Sequence, residues 1–276
     1  MRVCVTGASG KAGRAIVPEL LAAGYEVTAV DLQAPPSPLQ VPVLLADLVD
    51  YGQAVEALAG ADAVIHMANI PAPGLHTPAL TFERNVAMNS HVFFAAALHR
   101  MRRVVWASSE TTLGLDFTTP PLYAPLDEDH YPYPTTTYAL SKVVGETTAA
   151  HVAAWSSIPF VALRISNIME PHDYARFPSF QHDARLRKWN LWSYVDSRDV
   201  AQAARLGLEA ELTGASSYIV AAADTVMDRP SAELMAEVFP DVRLTRKIEG
   251  RETLMSIDRA RRVLGYEPRC SWRAFV

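Results

Sequence analysis

Short apolar runs alternate with longer amphipathic stretches through the first part of the chain. The runs are rich in β-branched residues, as is typical of buried strands, and they lie at residues 2–5, 26–30, 43–46, 63–66 and 103–107. The intervening stretches have a helical period, directly after residue 13 and at residues 51–59, 80–100 and 135–155. Because strands alternate with helices, we predict an α/β fold with a doubly wound parallel sheet covered on both faces.

The second part of the chain predicts the rest of the sheet and a smaller unit. A strand near residues 217–221 and a helix over residues 195–209 fit the sheet. The remaining residues are expected to close over a substrate. We therefore predict a first domain of residues 1–164, completed by about residues 195–223, and a small C-terminal substrate lobe formed by residues 165–194 and 224–276.

Composition narrows the class of protein. The chain has 276 residues and a net charge of −5, which argues against nucleic acid or an anionic membrane as the main partner. The apolar run at residues 92–98 is too short to cross a bilayer, and a first strand at residue 2 leaves no room for a signal peptide. Two cysteines fit a reduced cytoplasm and suggest neither a disulfide framework nor a metal site. We expect a cytoplasmic protein.

A glycine-rich turn, TGASGKAG at residues 6–13, joins the first strand to the first helix. Gly7 allows a tight turn, Gly10 a close approach of a pyrophosphate, and Gly13 close packing of the helix on the strand. The helix N-terminus directs unpaired N–H groups and partial positive charge at phosphates. This strand–turn–helix context predicts a Rossmann-type dinucleotide site, and a glycine turn without a ligand is the alternative.

Asp31 ends the second predicted strand and bears on the choice of cofactor. An acid about 20 residues after the glycine turn accepts hydrogen bonds from both ribose hydroxyls of NAD and repels the 2′-phosphate of NADP. Asp31 as the cap of the next turn is the alternative. Lys11 and Arg14 lie near in sequence and are able to bind a phosphate. We predict NAD rather than NADP as the cofactor.

Tyr138 and Lys142 lie one turn apart on the helix at residues 135–155, and therefore on the same face. A free tyrosine has a pKa near 10, and a cation one turn away is expected to lower that pKa. Proton transfer to or from a hydroxyl then becomes practicable. A serine at the end of the strand at residues 103–107 is placed to orient the substrate oxygen. A proline-rich, acidic loop at residues 118–134 is a candidate lid.

Together these motifs resemble the extended short-chain dehydrogenases/reductases, the NAD-dependent epimerase/dehydratase family, over nearly the whole chain. The matching motifs occur in the family's order. They are the glycine turn, Asp31, the pair Asp47-Leu48, HMAN at residues 66–69, Asn85-Val86, Ser109, the YxxxK pair, the RxxN at residues 164–167, the segment 194–201 and the segment 256–268.

The resemblance implies a role for each matching residue. Tyr138 would exchange a proton with a sugar hydroxyl or carbonyl, Lys142 would hold the nicotinamide ribose, and Ser109 would hydrogen-bond the reacting oxygen. The cofactor would be held by Gly7, Ser9, Gly10, Lys11, Ala12, Gly13, Asp31, Asp47, Leu48, Met67, Ala68, Asn69, Asn85, Tyr138 and Lys142. The substrate would be held by Ser108, Ser109, Asn167 and Arg176.

The positions at which this chain departs from the family's motifs limit the set of reactions that we expect it to catalyse. Dehydratases of the family usually carry Asp-Glu after the serine or threonine, whereas this chain has Glu110-Thr111, and this difference argues against water elimination. The short C-terminal part favours a small, unactivated sugar over a nucleotide sugar. The stretch at residues 170–174 resembles uronate dehydrogenases, with Arg176 as the candidate carboxylate clamp. The cluster at residues 185–188 offers alternative cations.

We therefore predict an NAD-dependent oxidoreductase acting on a sugar or sugar acid. Two alternatives stay open. One is a sugar or nucleotide-sugar epimerase that retains NAD, and the other is a non-catalytic NAD(P)-sensing binding protein. The family also implies a possible homodimer, formed through the long helices at residues 80–100 and 135–155.

Overall fold

A computed structural model describes residues 1–275 of the chain, and seven of its strands form one parallel sheet. The eleven strands of the described chain are β1 (Arg2–Thr6), β2 (Glu26–Asp31), β3 (Val43–Leu45), β4 (Ala63–His66), β5 (Arg103–Ser109), β6 (Tyr123–Ala124), β7 (Phe160–Ile165), β8 (Ile168–Met169), β9 (Val195–Asp196), β10 (Ala215–Val220) and β11 (Arg243–Leu244). The spatial order in the seven-stranded sheet is β3-β2-β1-β4-β5-β7-β10.

Helices cover both faces of this sheet, and each face has its own apolar layer. The helices of residues 1–275 are α1 (Lys11–Ala22), α2 (Tyr51–Leu58), α3 (Pro78–Leu98), α4 (Thr137–Ser156), α5 (Ser197–Glu209), α6 (Ser231–Val238) and α7 (Asp258–Leu264). Ile16 of α1 and Val200 of α5 share one buried cluster, whereas Ala54 of α2, Phe93 of α3 and Val152 of α4 share the other. The predicted α/β, doubly wound fold is confirmed. Over residues 1–275, no helix is both long enough and apolar enough to cross a membrane.

The topology places a crevice beside β1. The chain passes from β1 to β2 and β3 on one side and then returns to β4 on the other. The connections after β1 and β4 therefore leave the sheet on opposite sides, and ligands of open α/β sheets bind at this switch point, outside the carboxyl ends of the strands.

The residues beyond the sheet form a lobe that shares the core of the sheet. Two 3₁₀ segments, Pro171–Phe180 and Ala184–Asn190, carry its first part, and α6 and α7 carry its second part. Trp192 and Trp272 belong to the same buried cluster as Val3 of β1. The lobe thus packs on the sheet domain without a separate core, and the predicted domain boundaries stay a prediction.

The predicted lid at residues 118–134 is divided between two roles. Its middle is fixed to the lobe, because β6 pairs with β11 and the Leu126 N–H donates to the Leu254 carbonyl at 2.8 Å. Glu128 is buried and accepts a hydrogen bond from the Ile219 N–H at 2.7 Å. Only the two ends of the loop, near residues 118–119 and at Tyr133, reach the crevice.

Candidate active site

A cleft of about 1800 Å³ runs along the carboxyl edge of the sheet. It exceeds the roughly 300–1,000 Å³ that is usual for one small ligand, so a dinucleotide and a second substrate both have room. Most of the predicted site residues line it, namely Gly7, Ser9, Gly10, Lys11, Ala12, Gly13, Asp31, Asp47, Leu48, Met67, Ala68, Asn69, Ser108, Ser109, Tyr138, Lys142 and Asn167. Two predicted residues, Asn85 and Arg176, do not line it.

The three glycines of the first turn are needed for different reasons. Gly7 has a φ of +69°, and a Cβ there would lie 2.5 Å from the Ala68 nitrogen. A Cβ on Gly13 would lie 2.2 Å from the Gly7 oxygen, so α1 packs directly on the turn. A Cβ on Gly10 would meet only the Gly7 oxygen, at 3.4 Å, and would fill space that opens into the cleft. The protein itself tolerates a side chain there, and a pyrophosphate at the helix N-terminus fits this open space.

Asp31 is held in the wall of the cleft by backbone donors. Its Oδ2 accepts from the Ser9 N–H at 2.9 Å, and its Oδ1 accepts from the Gln33 N–H at 3.2 Å. The two nearby cations, Lys11 and Arg14, form ion pairs with carboxylates of the lobe instead. Lys11 Nζ lies 2.5 Å from the Asp173 carboxylate, and Arg14 Nη2 lies 2.7 Å from the Glu170 carboxylate. Because both cations are paired, this wall favours a ribose with free hydroxyls over a 2′-phosphate.

Lys142 is buried, and neutral acceptors hold its ammonium group. Nζ donates to Asn69 Oδ1 at 2.8 Å and to the Ala107 carbonyl at 2.7 Å. Burial lowers the pKa of Lys142 to about 7, and the Glu146 carboxylate opposes that shift. Asn69, which was predicted to hold the cofactor, therefore lines the cleft and also fixes the position of the Lys142 ammonium group.

Behind Asn69 lies a buried chain of hydrogen bonds that the sequence did not reveal. Asn89 Oδ1 accepts from Asn69 Nδ2 at 2.9 Å and lies 3.1 Å from His66 Nε2. His66 Nδ1 lies 2.7 Å from the Thr6 hydroxyl. Burial lowers the pKa of His66 to about 3, so the ring is neutral, and it carries its proton on Nε2 because an amide oxygen must accept there. The network ties β1 and β4 to Lys142.

Tyr138 faces the cleft beside Ser109, as predicted, but its ionisation differs from the prediction. Burial raises the pKa of Tyr138 to about 12, the Ser109 side chain lowers it, and the Glu110 carboxylate raises it. Lys142 Nζ lies 5.5 Å from the centre of the ring, and its own charge is weakened by burial. The predicted depression of the Tyr138 pKa by Lys142 is therefore wrong for the protein without bound ligands, because desolvation of the phenolate outweighs the attraction.

Ser108 and Ser109 end β5, and they face different partners. Ser109 Oγ accepts from the Thr111 N–H at 3.2 Å and the Thr111 hydroxyl at 3.0 Å, so its own proton is free for another acceptor. The Ser108 hydroxyl donates to Glu146 at 2.5 Å, and Glu146 forms a buried ion pair with Arg164 at 2.8 Å. Ser108 lines the cleft and also hydrogen-bonds that ion pair, and its predicted contact with substrate stays a prediction.

Glu110 and Arg187 form a buried polar group next to Ser109. Glu110 Oε1 accepts from Asn190 Nδ2 at 3.1 Å, and the other carboxylate oxygen is enclosed by protein near Ser166 and the Asn167 backbone. Arg187 Nη2 donates to Asn167 Oδ1 at 3.4 Å and to the Ser193 carbonyl at 3.1 Å. Burial raises the pKa of Glu110 to about 7 and lowers that of Arg187 to about 10. The sequence indicated a basic cluster at residues 185–188 but not which member is buried.

Two predicted site residues lie elsewhere. Asn85 is fully buried, and its amide is occupied by the Ile70 backbone, with contacts of 2.8 Å to the N–H and 3.1 Å to the carbonyl. It shapes the connection after β4, and it does not form the wall of the cleft. Arg176 is exposed on the first 3₁₀ segment of the lobe, so a carboxylate clamp at this position has no support in the geometry.

One group of side chains among residues 1–275 has metal-ligand geometry. Ligand atoms of Glu170, His172 and Asp173 lie within 4.8 Å of one another. Both carboxylates are already paired with Arg14 and Lys11, which accounts for their arrangement. The predicted absence of a metal stays a prediction.

The fold and the cleft define a dinucleotide-binding enzyme with a Ser–Tyr–Lys constellation. The profile of the NAD dependent epimerase/dehydratase family matches residues 3–221, and the chain belongs to that family. The family resemblance inferred from the motifs is thus confirmed, and the cofactor of the family is NAD.

Three of the matching curated relatives are sugar dehydrogenases, and a cinnamoyl-CoA reductase 1 of Oryza sativa is 31% identical over 90% of this chain and 78% of the relative. The chain is 27% identical to an NAD-dependent glucose-6-phosphate dehydrogenase of Haloferax volcanii, over 96% of this chain and 92% of the relative. It is 28% identical to a uronate dehydrogenase of Pseudomonas putida, over 75% and 71% of the two chains. It is 26% identical to an L-arabinose 1-dehydrogenase (NAD(P)(+)) of Haloferax volcanii, over 76% and 84%.

Solved structures share the fold at lower identity. MoeE5 in complex with UDP-glucuronic acid and NAD has a TM-score of 0.75 and 23% identity, covering 100% of this chain and 96% of the other. A UDP-galactose 4-epimerase has a TM-score of 0.73 and 24% identity, covering 98% and 94%. These likenesses establish the architecture, and the reaction has to be inferred from the site.

Proposed function

We propose that this protein is a dehydrogenase that oxidises a hydroxyl of a sugar or sugar acid with NAD, in the cytoplasm. The observation that carries the proposal is the convergence of Ser109, Tyr138 and Lys142 on one cleft whose other end is the open glycine turn. NAD, when bound, supplies the hydride acceptor. Ser109 and Tyr138 meet the reacting oxygen, and Lys142 meets the ribose.

The proton transfer is the part that the chain's own residues perform. In oxidation the hydroxyl proton of the alcohol would pass to the Tyr138 oxygen, which accepts it only as the phenolate, and bound NAD would take up the hydrogen of the reacting carbon as a hydride. The Ser109 hydroxyl lies within hydrogen-bonding reach of the Tyr138 oxygen, and it would hydrogen-bond the same substrate oxygen and orient it. Because burial raises the pKa of Tyr138 to about 12, the phenol is protonated at neutral pH. Oxidation should therefore accelerate toward alkaline pH, whereas reduction of the carbonyl should not.

Tyr138→Phe tests the proposal, because it removes the hydroxyl and keeps the ring. We expect the variant to lose sugar-dependent NADH formation by about 10²-fold or more, since general acid–base catalysis contributes on that scale. Binding of NADH, measured by nicotinamide fluorescence, should stay within about threefold of the unmodified protein. Tyr131→Phe is the matched control, because Tyr131 is 74% exposed.

The same assay separates the proposal from its alternatives. Undiminished turnover in Tyr138→Phe would exclude Tyr138 as the acid/base. Tightly retained NAD, with conversion of sugar stereochemistry and without net NADH release, would instead identify an epimerase. NADH binding without turnover of any sugar in a broad panel would indicate a binding protein that keeps the fold.

A further inference from the structure

One tryptophan of the lobe lines the cleft. Trp189 is partly buried on the second 3₁₀ segment, Ala184–Asn190, and it is the largest side chain that the described residues contribute to the lining. Two tyrosines, Tyr133 and Tyr138, line the same cleft. Small-molecule sites are lined mainly by apolar and aromatic side chains, with a few polar groups that fix the orientation of the ligand. The Trp189 ring is therefore a candidate contact for the substrate.

The chain neighbours of Trp189 place it beside the reacting centre. Asn190 Nδ2 donates to Glu110 Oε1 at 3.1 Å, and Glu110 directly follows β5. On the other side, Arg187 Nη2 donates to Asn167 Oδ1 at 3.4 Å, and Asn167 lies just after β7 and lines the cleft. The segment that carries Trp189 is thus bound to residues at the carboxyl ends of both strands. The ring therefore belongs to the substrate end of the cleft and not to the end at the glycine turn.

The Trp189 ring is held in place on the side away from the cleft. The Arg187 guanidinium lies over two rings, 4.8 Å from the centre of Trp189 and 5.2 Å from the centre of Phe180. Arg187 is buried and does not line the cleft, and its Nη2 also donates to the Ser193 carbonyl at 3.1 Å. A desolvated cation–π contact of this kind fixes the orientation of the ring. Because Arg187 occupies the inner side of the indole, the side toward the cleft is open to a ligand.

A flat aromatic surface in this position suits a cyclic sugar. A pyranose carries most of its hydroxyls around the edge of the ring, whereas C–H bonds point to its faces, so that one face is largely apolar. Such a face packs well on an indole, because both surfaces lose water and the partly positive C–H hydrogens meet the negative face of the π system. An acyclic polyol with the same number of carbons has no such face. The indole therefore favours a ring sugar over an open chain.

We propose that Trp189 is a specificity-determining residue, on which the C–H face of a pyranose stacks while Ser109 and Tyr138 bind the reacting hydroxyl. This inference rests on the proposed sugar oxidation and narrows its substrate class to ring sugars. The same ring face is present in an aldopyranose and in its uronic acid, so the inference applies to both. The stacking stabilises the bound substrate and the transition state about equally, and its loss should therefore appear in KM rather than in kcat.

Trp189→Leu tests the inference, because it keeps an apolar side chain and removes the flat ring. We expect KM for the ring sugar to rise by about fivefold or more, with kcat and the dissociation constant of NADH within about twofold of the values of the unmodified protein. Trp189→Phe, which keeps an aromatic ring, should recover most of the loss. Tyr131→Leu, at a 74% exposed aromatic residue, is the matched control and should leave KM unchanged. An unchanged KM in Trp189→Leu, or equal losses in the Leu and Phe variants, would overturn the inference.

A binding assay provides the second arm and decides the question even if Trp189→Leu does not fold. In Tyr138→Phe loaded with NAD, titration with the aldopyranose should change the tryptophan emission with saturation, whereas the corresponding acyclic alditol at the same concentration should not. The change should disappear in Tyr138→Phe combined with Trp189→Phe, although four of the five tryptophans remain. A change that survives without Trp189, or an equal response to the alditol, would refute the stacking.

The two arms also separate this inference from the proposed function. Turnover of no sugar by the unmodified protein would refute the proposed function itself. Turnover of a sugar with a KM that does not depend on Trp189 would refute the role of Trp189 and leave the proposed function in place.

Discussion

Two ionisable side chains beside Tyr138 are shifted toward neutrality by the same cause. Burial raises the pKa of Glu110 to about 7 and lowers the pKa of Lys142 to about 7. Desolvation disfavours the charged form of an acid and of a base alike. Near neutral pH, a small change in local charge, such as the arrival of a cationic ring or a substrate hydroxyl, therefore changes the ionisation of both groups.

The raised pKa of Glu110 predicts a defined effect on stability. The native state holds the Glu110 proton more tightly than the unfolded chain, whose pKa is near 4.5. The resulting stability is fully present below pH 4.5 and is lost as pH rises to about 7, by on the order of 3 kcal/mol. Glu110→Gln should therefore be more stable, relative to the unmodified protein, at about pH 8 than at about pH 4.

Urea unfolding at the two pH values measures this difference. Glu211→Gln, which alters an exposed carboxylate, should show nearly the same difference from the unmodified protein at both pH values. A Glu110→Gln variant whose relative stability does not change with pH would show that Glu110 is charged and well solvated in the native state.

The predicted preference for NAD over NADP depends on Asp31. Its carboxylate is oriented by the Ser9 and Gln33 N–H groups, and the nearby cations are engaged by the lobe. Asp31→Ala should weaken NADH binding by about tenfold, because charge-assisted hydrogen bonds are lost, and should weaken NADPH binding less. Fluorescence titration of both cofactors measures the ratio, with the exposed Asp241→Ala as control. An unchanged ratio would assign Asp31 to turn capping alone.

Among the elements of the fold, helix α4 packs closely on the sheet at Gly145. A Cβ on Gly145 would lie 2.8 Å from the Trp106 ring and 3.1 Å from Asn89 Nδ2. Gly145→Ala should therefore destabilise the protein by about 1–3 kcal/mol, although alanine favours an isolated helix by about 1 kcal/mol. The Gly145→Ala variant should also have a higher KM or a lower kcat, because Tyr138 and Lys142 lie on the same helix. Thr147→Ala, at an exposed site of α4, should do neither, and a neutral Gly145→Ala would show that α4 adjusts freely.

The elements were largely predictable from sequence, and the reasons are local. Each strand of the sheet appears as an apolar run, and the turn at Gly7 and Gly13 has a steric requirement that only glycine meets. Burial and pairing across distant segments were not predictable. The pKa of Tyr138, the enclosure of the Glu110 carboxylate and the burial of Arg187 rather than Arg176 all depend on how the lobe packs on β5 and β7. The pattern of apolar and polar residues at positions 170–190 does not predict that packing.

For the whole molecule, the outer faces of α3 and α4 are apolar without being covered. Phe94 and Leu98 of α3 are 39% and 62% exposed, and Leu140 and Trp155 of α4 are 41% and 66% exposed. Leu140, Val144, Thr147, His151 and Trp155 are spaced so that they follow one helical face. Such a surface on paired helices fits the homodimer that the family resemblance implied.

We expect Phe94→Glu combined with Leu140→Glu to convert a dimer into a monomer, because two buried carboxylates per protomer would face an apolar interface. Light scattering with size-exclusion chromatography measures the mass directly. Val263→Glu, at a 38% exposed apolar residue on α7, should leave the mass unchanged. The glycine turn and Asp31 lie in one chain, so the monomeric variant should still bind NADH. An unmodified protein of single-chain mass would contradict the dimer, and a dimer unaffected by the double variant would place the interface on another surface.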